Sequence, residues 1–264
     1  MLKIEQYSMN MEHLLTLPGE QVNHGTAGLE SFEIRQNGDL RWIRFPDGTI
    51  QSVMLLKEPA LPVLTYIQAL LCSLLFMPRP SNLLNLGLGS GSIERFILSQ
   101  YSDIELVSVE IDARIIEISK QYFHIPSSHT VFQLPAEKYL EINQANFDIL
   151  VSDICTRQGT ANSQLSTDFV MHAAHALNTG GVFAVNILPR SESEIIEVLI
   201  ALRCAFPWIL LYDVADMDNI VLFCTVTPSP SPASLMQRAK TLYQSTGLNL
   251  SPICRQMIAL PAKK

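Results

Sequence analysis

The stretch Asn82-Leu83-Leu84-Asn85-Leu86-Gly87-Leu88-Gly89-Ser90-Gly91-Ser92 constrains the fold more than any other part of the chain. An apolar run that stops in alternating glycines reads as a buried parallel strand entering a tight turn. The next residues, Ile93 to Gln100, have helical spacing. Strand, glycine turn and helix in that order open a nucleotide-binding α/β domain: amides at the helix start face the ligand, and the missing Cβ atoms permit close approach. A glycine motif alone also occurs in ordinary tight turns. What strengthens it is a second strand, Ile104 to Val109, that ends in Glu110-Ile111-Asp112. It puts an acid about 20 residues on, where such folds hold ribose hydroxyls. The expected nucleoside site therefore draws on Gly87, Gly89, Ser90, Gly91, Glu110 and Asp112.

Beyond Glu110 the alternation of elements continues. Ala113 to Phe123 has helical spacing, Val131 to Leu134 reads as a short strand and Ala136 to Ile142 as a short helix. Phe147-Asp148-Ile149-Leu150-Val151-Ser152-Asp153 is a buried strand that ends in a carboxylate. In an open α/β sheet, ligands collect outside the carboxyl ends of the strands. The glycine turn, Glu110, the segment Leu134 to Glu137 with Ala136, and Asp153 should therefore converge on one crevice. The polar loop from Ile154 to Asn162 suits a lid over it. Leu165 to Leu177 reads as a helix stopped by Gly180-Gly181, then come a strand over residues 182–187 and a helix over 191–204. Residues 209–214 and 220–226 are two strands joined by an Asp-rich turn too short for a parallel crossover, so they form a terminal antiparallel pair.

The flanks are different in kind. Residues 1–28 give few signals. From Glu30 onward, Phe32, Ile34, Leu40, Trp42, Ile43, Phe45 and Ile50 flank Asn37-Gly38 and Asp47-Gly48, a pattern that predicts a three-stranded meander. So small a β piece needs the main domain or a second subunit to pack on. An apolar helix follows over 63–77, too short and too interrupted by Thr65, Gln68 and Ser73 to span a membrane. Pro228-Ser229-Pro230-Ser231-Pro232 reads as an extended linker, followed by a tail with one helix near Leu235 to Tyr243. The expected units are thus a β domain over 1–60, a nucleoside-binding domain over 61–227, and a linker with tail over 228–264.

Composition narrows the partners. A net charge of −7 and no block of Lys or Arg argue against nucleic acid and leave small neutral or cationic ligands. Five scattered cysteines without a C-x-x-C pair indicate neither a disulfide framework nor a zinc site, and reduced thiols point to the cytoplasm. His172 and His175 stand three apart, but two further ligands are not apparent, so no metal is expected. His13 and His24 lack a second ligand at helical or turn spacing. Cys155 has no paired His near it in sequence.

A glycine turn, an acid after the second strand, an acid after the fourth and a terminal antiparallel pair suggest the doubly wound, mostly parallel α/β sheet of S-adenosylmethionine-dependent methyltransferases, here with a small N-terminal β domain. From Glu30 to Val226 the chain resembles the spermidine synthase family of polyamine aminopropyltransferases. Asp47 to Gln51 looks like the family's hairpin that brings a glutamine toward the substrate, and Thr65 to Ala69 like its tyrosine-bearing helix. Asn85 to Ser92 resembles its glycine loop, Val109 to Asp112 its ribose-binding strand end, and Phe147 to Asp153 the strand leading into its catalytic loop. The resemblance implies transfer of an aminopropyl group from decarboxylated S-adenosylmethionine to an amine or polyamine, without a metal. By it Glu110 would hold the ribose, Gln51 and Tyr66 would face the aminopropyl end, and Asp153 would bind or position the amine. It also implies a homodimer.

The departures from that family are specific. Ser90 stands where the family's glycine loop has Asp, and Leu134-Pro135-Ala136 replaces its Gly-Asp-Gly or Gly-Asp-Ala. Its D-S-S-D-P loop corresponds to Asp153-Ile154-Cys155-Thr156-Arg157, so Thr156 occupies the place of a proton acceptor and cannot titrate near neutrality. Arg157 adds positive charge where a polyamine needs negative charge. Three readings remain open: an aminopropyltransferase with a weakened or altered site, which would recruit Glu137, Asp148 or a lid residue; a transferase that takes S-adenosylmethionine itself; and a non-catalytic nucleoside-binding or dimeric interaction protein.

Overall fold

The computed structural model describes residues 18–27, 30–46, 50–156, 159–160, 166–215 and 217–262. The fourteen described strands fall into three sheets. The N-terminal sheet holds β1 (Glu20–Ala27), β2 (Glu30–Asn37), β3 (Leu40–Arg44) and β4 (Ile50–Leu55), each antiparallel to the next. The meander thus has a fourth strand, β1. Its sequence is polar apart from Val22, which is 40% exposed, so no burial pattern announced it. The turn at Asn37-Gly38 is present with Gly38 at φ +55°, whereas Asp47-Gly48 and His13 lie outside the described residues.

The main sheet is built from β5 (Asn82–Leu86), β6 (Glu105–Glu110), β7 (Val131–Gln133), β8 (Phe147–Ser152), β11 (Leu177–Ile187), β12 (Trp208–Asp213), β13 (Ile220–Thr225) and β14 (Ile258–Ala259). Their order is β14-β12-β13-β11-β8-β5-β6-β7. Strands β11, β8, β5, β6 and β7 are parallel, and β13, β12 and β14 continue antiparallel. Strand order reverses at β5, which leaves a crevice at the carboxyl ends of β5 and β8. The third sheet is a two-residue ladder, β9 (Cys155–Thr156) with β10 (Gly159–Thr160), inside the expected lid segment, of which residues 157–158 and 161–162 lie outside the described set.

Side-chain alternation assigns the two faces of the main sheet. Ile149 and Val151 of β8, Val182 and Ala184 of β11, and Val221 and Phe223 of β13 share a core with α1 (Thr65–Leu71), α2 (Ser92–Gln100), α7 (Pro232–Thr246) and α8 (Ser251–Gln256). Leu150, Phe183, Val185 and Leu222 face the other way, against α4 (Ala136–Ile142), α5 (Thr167–His175) and α6 (Glu192–Leu202). Helix α3 (Ala113–Tyr122) presents Ile115 and Ile118 to Phe32, Ile34, Ile43 and Met54 of the N-terminal sheet, so that sheet packs on the main domain.

Four expected boundaries move. The apolar helix is α-helical only over α1 and tightens to a 3₁₀ turn over Cys72–Leu75. The helix before β11 ends at His175, and Gly180-Gly181 lie within the strand, at its register shift against β8, with Gly180 at φ +82°. Pro232 is the first residue of α7 and does not belong to an extended linker, because proline is preorganised for a first helical turn and the Ser231 side chain caps it. The tail also carries α8 and β14, and β14 pairs with β12. Leu235, Ala239, Leu242, Leu250 and Ile253 bury against the α1 face, and Arg238 Nη1 donates to the carbonyls of Leu75 and Phe76. Among the described residues no helix is long and apolar enough to cross a membrane.

Candidate functional site

The register brings the acids together. Leu86 of β5 lies beside Val109 of β6 and Ser152 of β8, and Ser152 lies beside Val185 of β11. The residues one step further, Gly87, Glu110, Asp153 and Asn186, therefore form a row at the carboxyl edge of the sheet. Glu110 is paired in turn with Gln133 of β7, three residues before Ala136, which opens α4 and is buried. By parity Glu110, Asp153 and Asn186 all point to the α1 face. That is the face from which the helix carrying Tyr66 covers the row.

Glu110 is buried, and both oxygens engage backbone: Oε2 accepts from Leu88 N at 3.1 Å and Oε1 from Asp112 N at 3.0 Å. Burial raises its proton affinity, which the amides of Asp112, Leu88 and Gly89 counteract. The carboxylate thus fixes the glycine loop, in which Gly87, Gly89 and Gly91 hold φ +92°, +53° and +77°. Asp112 caps α3, its Oδ1 accepting from Arg114 N at 2.7 Å.

The loop is also held from the N-terminal side. Ser90 N donates to Ser52 Oγ of β4 at 3.3 Å. The buried Arg95 guanidinium donates to the carbonyls of Ser90 (2.5 Å), Pro59 (2.6 Å) and Phe123 (3.1 Å), so one side chain ties loop, interdomain segment and α3 end together. Burial lowers its pKa to about 10, which leaves it charged at neutral pH. Two polar atoms here are buried without a hydrogen-bond partner, Ser90 Oγ and Gln51 Oε1. Orphans of this kind are rare in folded proteins.

Asp153 is half-buried. Its Oδ1 accepts from Asn186 Nδ2 at 2.8 Å, and the Tyr66 hydroxyl also donates to the carboxylate. Burial raises its pKa to about 6, and the Asn186 and Tyr66 donors only partly offset that. The Tyr66 hydroxyl lies 3.4 Å from the Gln51 carbonyl, which brings the tyrosine helix and the β4 hairpin to the same place. Asn219, immediately before β13, donates from Nδ2 to Asn186 Oδ1 at 3.0 Å.

Other candidates fall elsewhere. Asp148 sits at the opposite end of β8, where Oδ2 accepts from Ser81 N (2.7 Å) and Ser81 Oγ (2.9 Å) and Oδ1 from Asn178 Nδ2 (2.9 Å). It anchors the strand start and cannot serve the crevice. Glu137 is exposed in the first turn of α4. Cys155 and Thr156 are described only as backbone, and Arg157 lies outside the described residues. Among the described residues no group of three His, Cys, Asp or Glu is placed to hold a metal. Asn186, Asn219, Ser52 and Arg95 were not singled out from the sequence, although Asn186, the one polar residue in the otherwise apolar run 182–187, carried a readable signal.

A mostly parallel sheet with antiparallel end strands, a glycine loop pinned by a strand-end carboxylate and an acid at the next strand end define the fold class shared by spermidine synthases and methyltransferases. The spermine/spermidine synthase domain family matches residues 70–200. The chain is 28% identical over 169 residues to the polyamine aminopropyltransferase of Chromobacterium violaceum, a match spanning 63% of this chain and 65% of that protein. It is 23% identical over 176 residues to the eEF1A lysine and N-terminal methyltransferase of Xenopus laevis, spanning 60% of this chain and 25% of that protein. The crystal structure of spermidine synthase from Thermotoga maritima superposes with a TM-score of 0.69 at 17% identity, covering 91% of this chain and 84% of that one. The chain thus spans less than two thirds of the length of these curated relatives. Residues 70–200 match the spermine/spermidine synthase domain, and the chain is a distant relative of the polyamine aminopropyltransferases.

Proposed function

We propose that the chain is an aminopropyltransferase of the spermidine synthase type, taking decarboxylated S-adenosylmethionine as donor and a small amine as acceptor. The observation that carries this reading is the meeting of Tyr66 and Asp153 beside the glycine loop. Glu110 would take ribose hydroxyls on the lone pairs its two backbone contacts leave free, with Asp112 stabilising that strand end and Ala136 beneath the base. The orphaned Gln51 Oε1 would accept from the donor's ammonium.

In the reaction the amine nitrogen attacks the carbon next to the sulfonium. The C–N bond forms, the C–S bond breaks with its electron pair returning to sulfur, and methylthioadenosine leaves. The attacking nitrogen must shed one proton. With Thr156 in place of the family's second acid, Asp153 takes both tasks: it attracts the amine as a carboxylate and accepts its proton, for which a pKa of about 6 is suited near neutral pH. One acid doing the work of two is a weakened site, so we expect slow turnover. The resemblance also supports a homodimer and the division into units 1–60 and 61–227; the third unit, 228–264, packs on the second through α7, α8 and β14.

The likeness to a methyltransferase, together with Ser90 in place of an acid, favours a second reading, in which the donor keeps its carboxylate and is S-adenosylmethionine itself. Methylthioadenosine release should be measured with decarboxylated S-adenosylmethionine and a panel of diamines, and S-adenosylhomocysteine release with the carboxylated donor. Release of methylthioadenosine that depends on the amine and is largely lost in Asp153→Asn supports the first reading. Release of S-adenosylhomocysteine replaces it with the second. No release with either donor, from a folded sample, refutes both and leaves a binding role.

A further inference from the structure

Asp153 Oδ1, Asn186 and Asn219 form a chain of two amide hydrogen bonds that runs from the crevice into the β11–β13 pair. Parity places all three on one face, and the antiparallel turn of β13 brings its first residues back to the carboxyl edge of the sheet. Asn186 and Asn219 are 1% and 8% exposed, so neither amide has water as an alternative partner. An ionised carboxylate only accepts hydrogen bonds, so the Asn186 amide must turn its Nδ2 toward Asp153. Its Oδ1 then points away and needs a donor, and Asn219 Nδ2 stands there at 3.0 Å. Without that donor the Asn186 Oδ1 loses its hydrogen bond to Asn219, and the orientation that points Nδ2 at Asp153 is held less firmly. Flipped, it would present a carbonyl to the carboxylate.

We propose that Asn186 and Asn219 are positioning residues for Asp153, a two-amide relay in which Asn219 fixes the orientation of Asn186 and Asn186 holds the Asp153 carboxylate in its ionised form. The inference rests on Asp153 as the working acid of the proposed function. The titratable groups around Asp153 on described elements are few. Tyr66 of α1 bonds to it, Glu110 stands at the end of β6 beyond β5, and Asp213 and Asp218 of the β12–β13 hairpin are exposed. The neutral amide is therefore the main influence on Asp153 from the β11 and β13 side.

The test is a carboxyl carbon-13 titration of the full chain with labelled aspartate, with Asp153 assigned by its loss in Asp153→Asn. In Asn186→Leu, close in size, the Asp153 midpoint should rise by about one unit, the effect of losing one donor to a carboxylate. Asn219→Ala, which leaves β11 untouched, should move it the same way by less. A midpoint that stays put in Asn219→Ala overturns the relay, as does an unmoved midpoint in a folded Asn186→Leu. Should Asn186→Leu fail to fold, Asn219→Ala decides alone. The titration needs no turnover: a moved midpoint in a chain that transfers nothing keeps the relay and removes the transferase, and turnover with unmoved midpoints does the reverse.

Discussion

Replacing Gly87 by alanine should cost more than any other single methyl added to the glycine turns, and the cost can be worked from the geometry. Gly87 holds φ +92°, which L-residues disfavour by about 1–2 kcal/mol. A Cβ there would stand 2.4 Å from the Asp153 carbonyl oxygen and 2.9 Å from its carbon. Both are backbone atoms of the residue that follows β8, whose N–H is held by the Leu86 carbonyl, so the overlap cannot be relieved by rotating a side chain. Overpacking of this kind typically adds 1–3 kcal/mol. The sum is about 3 kcal/mol, or roughly 6–12 °C in Tm for a chain of this size. Gly180→Ala is the control: φ is +82°, but nothing lies within 4 Å of the added carbon, so only the conformational part, about 1 kcal/mol, is lost. Urea unfolding of both variants gives the comparison. Equal destabilisation would refute the steric argument and with it the close approach of the glycine loop to Asp153.

Glu110→Gln should weaken methylthioadenosine binding at least tenfold, because the amide has one acceptor atom for the Leu88 and Asp112 amides and the ribose; calorimetric titration showing parental affinity would remove Glu110 from the ribose site. Asp153 has a folded pKa raised to about 6, so its contribution to stability is present below the unfolded carboxyl pKa and is lost as pH rises to 6. Asp153→Asn should therefore be more stable than the parent at pH 8 by roughly 3 kcal/mol, with the gap closing toward pH 4, and a gap independent of pH would contradict the burial argument. Arg95→Met should destabilise by about 3 kcal/mol, since three carbonyls lose their donor at once; a loss below 1 kcal/mol in urea unfolding would show that water replaces the guanidinium.

The order of strands and helices in the main domain was legible because each buried parallel strand is an apolar run bounded by a turn, from Asn82–Leu86 to Ile220–Thr225. The polar edge strand β1 and the two-residue β14 were not. Their place in the sheets comes from backbone pairing with β2 and β12, which leaves no side-chain pattern to read. The proline-serine segment misled for a related reason, since Pro232 is compatible with both an extended chain and a first helical turn, and the burial of Leu235, Ala239 and Leu242 selects the helix.

The acids of β8 separate what sequence carries from what only packing decides. Asp148 and Asp153 bracket one apolar run, and nothing in the run says which end meets the crevice beyond the rule that ligands gather at carboxyl ends. The fold then treats them oppositely. Burial pushes both carboxyls up, but at Asp148 the donors from Ser81, Asn178 and Asn82 outweigh it and hold the pKa below the usual range. At Asp153 the two donors, Asn186 and Tyr66, do not, and burial prevails. A carboxylate saturated by donors is spent on structure, whereas one left short of donors has hydrogen-bonding capacity to offer a cationic ligand and a proton affinity near neutrality. Asn186 lies 33 positions beyond Asp153 and Tyr66 lies 87 before it, so this difference is set by the pairing of β8 with β11 and the crossing of α1. It is the packing of these distant segments that leaves Asp153, and not Asp148, available to a ligand.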